Sequence, residues 1–201
     1  QDLAASLPAR LVPEGAGELL DLCSAPGGKA MQMAAAGHCV TALDVSSARL
    51  SRLAENLERT GLAAKLIEAD ALRWDPRARF DAVLLDAPCS ATGTFRRHPE
   101  VLYRARPRVI AEAAGLQARL LARAAEWVKP GGSLVYSVCS LEPEEGEEAV
   151  RAFLDSNPRF ALVAPDGLPG FVRPTPEGWV RILPGLLEDQ GGLDGFFTAR
   201  L

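Results

Sequence analysis

The chain has 201 residues, of which 48% are hydrophobic and 24% are charged; this is the composition of one folded globular domain and excludes wholesale disorder. No apolar run approaches the ~20 residues that a membrane span needs, and the first residues lack the basic-then-apolar pattern of a signal peptide. The net charge of −4 excludes a generally basic nucleic-acid-binding surface but is compatible with a local basic patch.

The cysteines are far apart in the sequence and form no C-x-x-C pair; they are Cys23, Cys39, Cys89 and Cys139. Because only two histidines accompany them, we expect no structural zinc site and no other metal. Two disulfides would match the even count, but a chain with this apolar content does not need them. Reduced thiols in a cytoplasmic protein are the favoured interpretation. Cys39 precedes Val40 in an apolar run, and we expect it in the core.

Short apolar runs alternate with helical patterns along the chain, which is typical of βαβ units and a parallel sheet. The predicted strands cover residues 18–23, 39–45, 65–69, 80–85, 133–138, 179–183 and 196–201. The predicted helices run from Ser46 or Ser47 to about Thr60, over roughly 109–128, and onward from about Pro143. One α/β domain therefore accounts for the whole chain.

Ligands of an open parallel sheet bind beyond the carboxyl ends of its strands, so the residues that leave the strands are the candidates for function. The first strand leads into the segment DLCSAPGGK at 21–29, whose small residues let the backbone approach a ligand at the start of a helix. This segment matches neither G-x-G-x-x-G nor a Walker loop. By itself, an ordinary tight turn explains it about equally well.

Acidic residues follow or end the next two predicted strands. Asp44 stands about 20 residues after the glycine-rich turn, where an acid can hold ribose hydroxyls. Asp70 is placed to accept a hydrogen bond from an adenine amino group. Each alone is more typical of a turn or a helix cap, but in this order with the glycine-rich turn they favour an adenosine-containing ligand.

Two further predicted strands lead into cysteines. Asp86 and Cys89 follow the fourth strand, and Cys139 follows the fifth. If these strands are neighbours in the sheet, both thiols face the same crevice beside Asp86. A lone cysteine at a strand end is usually a small buried hydrophobic residue, but two at equivalent ends favour chemistry. A cysteine hydrolase would need a histidine beside the thiol, and only His98 is near in sequence.

Three motifs, taken together and in order, resemble those of the RNA (cytosine-5) methyltransferases, which use S-adenosylmethionine as methyl donor. They are DLCSAPGGK at 21–29, DAPCSATG at 86–93 and YSVCS at 136–140, and the resemblance covers essentially the full chain. The segments RRHPE at 96–100 and LEPEE at 141–145 are similar in particular to bacterial members that act on 16S ribosomal RNA. The resemblance implies a Rossmann-like class I methyltransferase fold, with a mostly parallel seven-stranded sheet and helices on both faces.

The resemblance also implies roles for individual residues. Cys139 matches the nucleophile that adds to carbon 6 of cytosine, Cys89 matches the cysteine that helps to release the product, and Asp86 matches the acid near the reacting methyl group and the target base. Asp44 matches the ribose-binding acid and Asp70 the residue beside the adenine. The methionine part of the donor is assigned to Cys23, Ser24, Ala25, Pro26, Gly27, Gly28 and Lys29.

A nucleophilic cysteine must be a thiolate, and free cysteine is mostly protonated at neutral pH. The N-terminus of the helix predicted from Pro143 would lower the pKa of Cys139. Glu142, Glu144 and Glu145 would act in the opposite direction. The sequence therefore leaves the direction of the shift open.

RNA binding requires positive charge, and the segment after the fourth-strand motif supplies it. Its predicted RNA contacts are Arg96, Arg97 and His98, followed by Arg104, Arg106 and Arg108. A solvated connecting loop explains the three later arginines about equally well. The implied substrate is 16S ribosomal RNA with an unpaired or flipped cytosine, because the base must leave its stack to reach the crevice.

The ribosomal members of the family carry an additional N-terminal RNA-binding portion, and residues 1–16 are expected to be only a lead-in to the catalytic domain. We expect a monomer. Two alternatives stay open. One is a related enzyme that acts on tRNA or another RNA, whose motifs would look nearly the same. The other is a non-catalytic RNA-binding assembly factor, which the presence of Cys89, Cys139 and Asp86 disfavours.

Overall fold

The computed structural model describes all 201 residues and contains one seven-stranded sheet. Its strands are β1 Glu18–Leu22, β2 Cys39–Asp44, β3 Lys65–Glu68, β4 Phe80–Asp86, β5 Val128–Val138, β6 Val180–Ile182 and β7 Phe196–Arg200. Their order across the sheet is β3-β2-β1-β4-β5-β7-β6. The first five are parallel, whereas β7 is antiparallel to both β5 and β6. This confirms the predicted mostly parallel seven-stranded sheet.

The helices are α1 Leu7–Arg10, α2 Gly28–Ala35, α3 Ser47–Thr60, α4 Val101–Arg104, α5 Pro107–Glu126 and α6 Glu147–Ser156. Short 3-10 turns cover Ala4–Ser6, Thr92–Thr94, Pro143–Glu145 and Glu188–Gln190. None of the helices combines the length and the apolar character that crossing a bilayer would require.

Side chains of the central strands point alternately to the two faces of the sheet, and each face has its own core. Leu20 and Leu85 pack on one face with residues of α5 and α6. Leu19 and Leu84 pack on the other face with residues of α2 and α3. The two cores cover both faces of the central strands, so a ligand can reach these strands only at their ends, where the motifs lie.

Helix α3 has the boundaries that its sequence predicts. The hydroxyl of Ser46 accepts a hydrogen bond from the amide of Arg49, and Gly61 ends the helix with a left-handed φ of +66°. The buried residues of α3 are one every three or four positions: Leu50, Leu53 and Leu57. The apolar spacing and both caps therefore agree.

Several boundaries differ from the predicted ones. Helix α5 begins at Pro107, because proline fits the first position of a helix. The helix predicted from Pro143 starts instead as a 3-10 turn, and α6 begins only after Gly146, whose ψ of −97° interrupts the helical backbone. The expectation that Cys39 lies in the core is wrong. Cys39 is the first residue of β2 and is exposed, and burial begins with Val40.

Candidate active site

The loops that follow β1, β4 and β5 lie side by side at the carboxyl edge of the sheet. β1 and β4 are parallel neighbours that pair Leu22 with Leu85, and β4 pairs with β5 through Asp86 and Ser137. Because these three strands end at the same level, the motif residues that leave them converge on one crevice. The three motifs separated in sequence therefore form one site.

The two predicted catalytic cysteines are in contact. The Sγ atoms of Cys89 and Cys139 are 3.5 Å apart, and all four cysteines of the chain are free thiols. The hydrogen bond from Cys89 lowers the pKa of Cys139, and Lys29 acts in the same direction against burial and Asp86. The same bond, burial, the charge of Cys139 and that of Glu145 hold the pKa of Cys89 well above its usual value. Of the two thiols, Cys139 therefore loses its proton more readily, and Cys89 holds its proton more tightly.

Asp86 is held by two neighbours beside the cysteines. Lys29 Nζ donates to Asp86 Oδ2 at 2.6 Å, and Ser137 Oγ donates to Asp86 Oδ1 at 2.8 Å. Lys29 is nearly buried and also lies 5.2 Å from the ring centroid of Phe196. This ion pair fixes the orientation of the Asp86 carboxylate towards the crevice.

The glycine-rich loop after β1 has a backbone that requires glycine at one position. Gly27 has a φ of +100°, and a Cβ there would lie 1.9 Å from Cδ1 of Leu53 in α3. The loop is also tied down by polar contacts: the amide of Ser24 donates to the carbonyl of Leu43, and Arg49 donates to the carbonyl of Ala25. The backbone of this loop is thus held rigidly against α3.

A cavity of about 370 Å³ adjoins this loop. Its lining consists of Gln1, Ala5, Asp21, Cys23, Ser24, Ala25, Pro26, Gly28, Lys29, Met31, Asn56, Arg59 and Asp86. Oδ1 of Asp21 is buried without a hydrogen-bond partner, and burial raises the pKa of Asp21 to about 7. An unpaired buried acceptor in such a cavity suits a ligand that brings a positively charged donor, as the amino group of S-adenosylmethionine does.

A larger groove of about 980 Å³ lies at the amino ends of β4 and β5. None of the predicted site residues lines it, so the cysteine crevice is the better candidate for the chemistry.

Asp44 and Asp70 do not line the cavity. Asp44 is buried and accepts hydrogen bonds from the amides of Ala25 and Ser46, at 3.1 and 3.0 Å, so it braces the glycine-rich loop. Asp70 accepts from the amide of Leu72 and lies 3.6 Å from Arg73 in a half-exposed turn. Their roles beside the ribose and the adenine stay predictions.

Two of the predicted RNA contacts are paired within the protein. Arg96 pairs with Asp2 and Asp194, and Arg97 forms a bidentate ion pair with Asp194. His98 lies 3.4 Å from Glu100. These contacts anchor the segment after the Cys89 loop, and contact of the three residues with RNA stays a prediction.

The segment that follows carries free positive charge. Arg104 and Arg106 are exposed and form neither an ion pair nor a side-chain hydrogen bond, whereas Arg108 pairs with Glu112. Tyr103, directly before Arg104, has 83% of its surface exposed. An exposed aromatic ring next to unpaired arginines in the sequence is a suitable surface for single-stranded nucleic acid.

Glu145 is a site residue that the sequence does not single out. It is fully buried and accepts hydrogen bonds from the Cys89 loop, from α5 and from Ser140. The glutamates near it in sequence are exposed or partly exposed, which hides it in a run that is typical of a solvated helix start. The only sequence signal is Gln117, a polar residue within the apolar stripe of α5.

A family model described as 16S rRNA methyltransferase RsmB/F matches residues 8–201. The chain belongs to the RsmB/F family. It is 43% identical over 196 residues to ribosomal RNA small subunit methyltransferase B of Klebsiella pneumoniae, and 42% identical to that of Salmonella typhi. Each match covers 95% of this chain but only 43% of the relative, so the chain spans less than half the length of these relatives. The predicted resemblance to bacterial 16S ribosomal RNA methyltransferases is confirmed.

Solved structures agree with the RsmB/F assignment. NSun6 from Pyrococcus horikoshii, determined with SFG, covers the whole chain with a TM-score of 0.87 at 30% identity, over 51% of its own length. A methyltransferase homolog protein from the same organism gives 0.80 at 32% identity, over 66% of its length. The N-methyltransferase NodS from Bradyrhizobium japonicum, at 14% identity and a TM-score of 0.57, shares the fold alone. The predicted Rossmann-like methyltransferase fold is confirmed.

Proposed function

We propose that the chain is the catalytic domain of an S-adenosylmethionine-dependent RNA cytosine-5 methyltransferase whose substrate is 16S ribosomal RNA. The observation that carries this proposal is the contact between Cys89 and Cys139, 3.5 Å apart beside Asp86. A methyltransferase acting on a nucleophilic oxygen or nitrogen has no need of a thiolate, whereas carbon 5 of cytosine needs a nucleophile that adds to carbon 6 and a base that removes the carbon 5 proton; two adjacent thiols can supply both. Membership in the RsmB/F family supports the RNA substrate.

Covalent activation of the base is the first step. Carbon 5 of cytosine is a poor nucleophile, and covalent catalysis divides one difficult step into easier ones. The Cys139 thiolate adds to carbon 6 and forms a carbon–sulfur bond, and the π electrons of the carbon 5–carbon 6 bond make carbon 5 enamine-like. Asp86, oriented by Lys29 and Ser137, would accept a hydrogen bond from the amino group of the base and, when protonated, would donate one to N3.

When bound, S-adenosylmethionine supplies a methyl group on a sulfonium centre, which carbon 5 accepts. Residues 23–29 would hold its methionine part, and the unpaired oxygen of Asp21 would accept from its amino group. Asp44 and Asp70 would hold the ribose and the adenine.

Product release completes the reaction. A base removes the proton from carbon 5, those electrons restore the carbon 5–carbon 6 double bond, and the carbon–sulfur bond breaks so that Cys139 leaves as thiolate. Cys89 is the proposed base, directly or through a water molecule. The charge of Cys139 is one reason why the pKa of Cys89 is high. Once Cys139 is bonded to carbon 6 that charge is gone, so Cys89 loses its proton more readily at the stage that needs a base.

The proposed protein is a single methyltransferase domain over residues 1–201 that acts as a monomer in the cytoplasm. Arg96, Arg97 and His98 border the RNA path. Arg104 and Arg106, which have no acidic partner, would contact phosphates, and Tyr103 would stack on an unpaired base.

The proposal is tested by incubating the chain with S-adenosylmethionine labelled in the methyl group and unmodified 16S ribosomal RNA, and then analysing the nucleosides. We expect the label in 5-methylcytidine and none with Cys139→Ala. Label in another nucleoside or in protein would contradict the proposal. Label in 5-methylcytidine only when tRNA is offered would assign the alternative substrate.

A further inference from the structure

Glu145 connects the two cysteine loops from behind. Its Oε2 accepts hydrogen bonds from the amide of Ser90 at 2.9 Å and from Nε2 of Gln117 at 2.8 Å. Its Oε1 accepts from the hydroxyl of Ser140 at 3.0 Å. Ser90 and Ser140 are the residues directly after the two cysteines, so one carboxylate holds the chain at both.

The network around this carboxylate is buried. Glu145 and Ser140 are fully buried, and the Tyr136 hydroxyl donates to the backbone carbonyl of Glu145 at 2.6 Å. Gln117 also donates to the carbonyl of Pro88, immediately before Cys89. Displacing the carboxylate would therefore release the backbone on both sides of Cys89.

The geometry points to Glu145 as a positioning residue that holds the two thiols together and makes Cys139, rather than Cys89, the nucleophile. Only the word nucleophile rests on the proposed function. The difference in reactivity between the two thiols can be measured in the absence of RNA. Glu145 is fully buried, so it acts on the cysteines without touching the substrate.

The charges around the two thiols explain why Glu145 affects them differently. Cys89 faces Cys139 and the negative charge of Glu145, and both disfavour a second negative charge on Cys89. Cys139 faces Cys89, Asp86 and Lys29, with Arg97 also close enough to interact electrostatically. The negative charge of Glu145 is therefore directed at one member of the pair.

Glu145→Gln replaces the carboxylate by a neutral side chain of the same size. Its carbonyl oxygen, in the place of Oε2, still accepts from the amide of Ser90 and from Nε2 of Gln117. Its amide group, in the place of Oε1, donates to the Ser140 hydroxyl, whose own proton can turn to the hydroxyl of Ser90 or Thr92. The variant therefore loses the charge and keeps the contacts to both cysteine loops. Glu144→Gln removes the same charge from the exposed neighbouring residue and is the matched control.

The test is alkylation of the folded chain by iodoacetamide between pH 7 and 9, read at each cysteine by peptide mass spectrometry. Exposed Cys39 is the internal reference, and Cys23, whose pKa burial raises to about 12, reports unfolding. In the wild type and in Glu144→Gln we expect Cys139 to react well before Cys89. In Glu145→Gln we expect the ratio of Cys139 to Cys89 labelling to fall by about tenfold, the equivalent of one pKa unit.

An unchanged ratio in folded Glu145→Gln would overturn the inference. If Cys23 in that variant reacts as fast as Cys39, the variant is unfolded and Glu145→Asp decides. This variant keeps the charge but shortens the side chain by one methylene, so we expect a smaller fall of about threefold, and an unchanged ratio again overturns the inference. Failure of methyl transfer to RNA with this labelling order intact would contradict the proposed function instead.

Discussion

Lys29 Nζ lies 2.6 Å from Asp86 Oδ2, and this ion pair joins the glycine-rich loop after β1 to the cysteine loop after β4. Lys29 belongs to the part of the site proposed to hold the methyl donor, and Asp86 to the part proposed to hold the base. Lys29 also lowers the pKa of Cys139. One buried ammonium group therefore acts on donor site, base site and nucleophile.

Replacing Lys29 by methionine tests this connection. The change keeps the apolar stem but leaves Asp86 with Ser137 as its remaining side-chain partner, and it removes one cause of the low pKa of Cys139. We expect single-turnover methyl transfer to fall by about 100-fold and alkylation of Cys139 to require a higher pH. Lys65→Met, on the exposed side of β3, is the control. A Lys29→Met rate within about threefold of the wild type would contradict this role.

Asp21 predicts a pH dependence of stability. Burial raises its folded pKa from 3.8 to about 7, so the folded state binds the proton more tightly than the unfolded state. Asp21 therefore favours the folded state fully below about pH 4, and this contribution is lost as the pH rises towards 7. In Asp21→Asn this loss is absent, and we expect the variant to exceed the wild type by about 2–4 kcal/mol in unfolding free energy above pH 7.

Urea unfolding between pH 4 and 8 measures this difference. Asp189→Asn, an exposed acid changed in the same way, should follow the wild-type profile. The same Asp21→Asn variant should bind S-adenosylmethionine at least tenfold more weakly, since its amide offers the donor's amino group no negative charge. Parallel pH profiles for wild type and Asp21→Asn would show that Asp21 does not titrate in this range.

Gly93 holds the Cys89 loop against the segment before β7. Its amide donates to the carbonyl of Cys139, its carbonyl accepts from the amide of Gly195, and a Cβ would lie 2.1 Å from the Gly195 oxygen. We expect Gly93→Ala to cost about 1–3 kcal/mol of stability and to separate the two thiols. Gly115→Ala is the matched control, because a Cβ in this position of α5 meets no atom within 4 Å.

Thermal and urea unfolding distinguish the two glycine variants. Gly115→Ala should raise the unfolding free energy by about 0.5–1 kcal/mol, the difference between glycine and alanine in a helix. If Gly93→Ala is as stable as Gly115→Ala, the close approach of the two loops does not constrain the site.

Arg104 and Arg106 are expected to provide the electrostatic contribution to RNA binding. With both changed to alanine, we expect the KM for RNA to rise about tenfold, the salt dependence of binding to weaken and the affinity for S-adenosylmethionine to stay unchanged. Arg108→Ala is the control because Arg108 is already paired with Glu112. If Arg108→Ala raises the KM for RNA as much as the double change does, whether an arginine is paired does not determine its contribution to RNA binding.

Stacking of an unpaired base on Tyr103 is the second expected contribution to RNA binding. Tyr103→Ala should raise the KM for RNA by about tenfold, whereas Tyr103→Trp should retain binding because an aromatic face suffices for stacking. Fluorescence of the new tryptophan, titrated with single-stranded RNA, reports contact directly. Absence of any quenching while the wild type binds RNA would remove Tyr103 from the RNA path.

Most of the fold and the placement of Cys89 and Cys139 in one crevice could be predicted from the sequence. The apolar runs at β1, β2 and β4 are short and bounded by turn residues, and helix α3 carries both of its caps. Because parallel neighbouring strands end at one edge, Cys89 and Cys139 could be placed in one crevice on the condition that β4 and β5 are neighbours, which the structure shows them to be. Local patterns were sufficient wherever the structure is built from neighbouring residues.

The remaining features depend on contacts between distant residues. Arg97 pairs with Asp194 across 97 positions, and Glu145 reaches Ser90 across 55. No local spacing distinguishes an arginine that anchors a loop from one that binds phosphate, or a buried glutamate from its exposed neighbours. Cys39 was wrongly expected in the core, because an apolar run does not indicate at which residue burial begins.

Trapping of the covalent intermediate tests the central claim most directly. Cys89→Ala is incubated with unmodified 16S ribosomal RNA and S-adenosylmethionine, and the protein–RNA adduct is isolated under denaturing conditions and mapped by peptide mass spectrometry. If Cys139 is the nucleophile and Cys89 assists release, the adduct accumulates in Cys89→Ala, is linked through Cys139, and is absent from Cys139→Ala. An adduct that survives Cys139→Ala would contradict the assignment of the nucleophile.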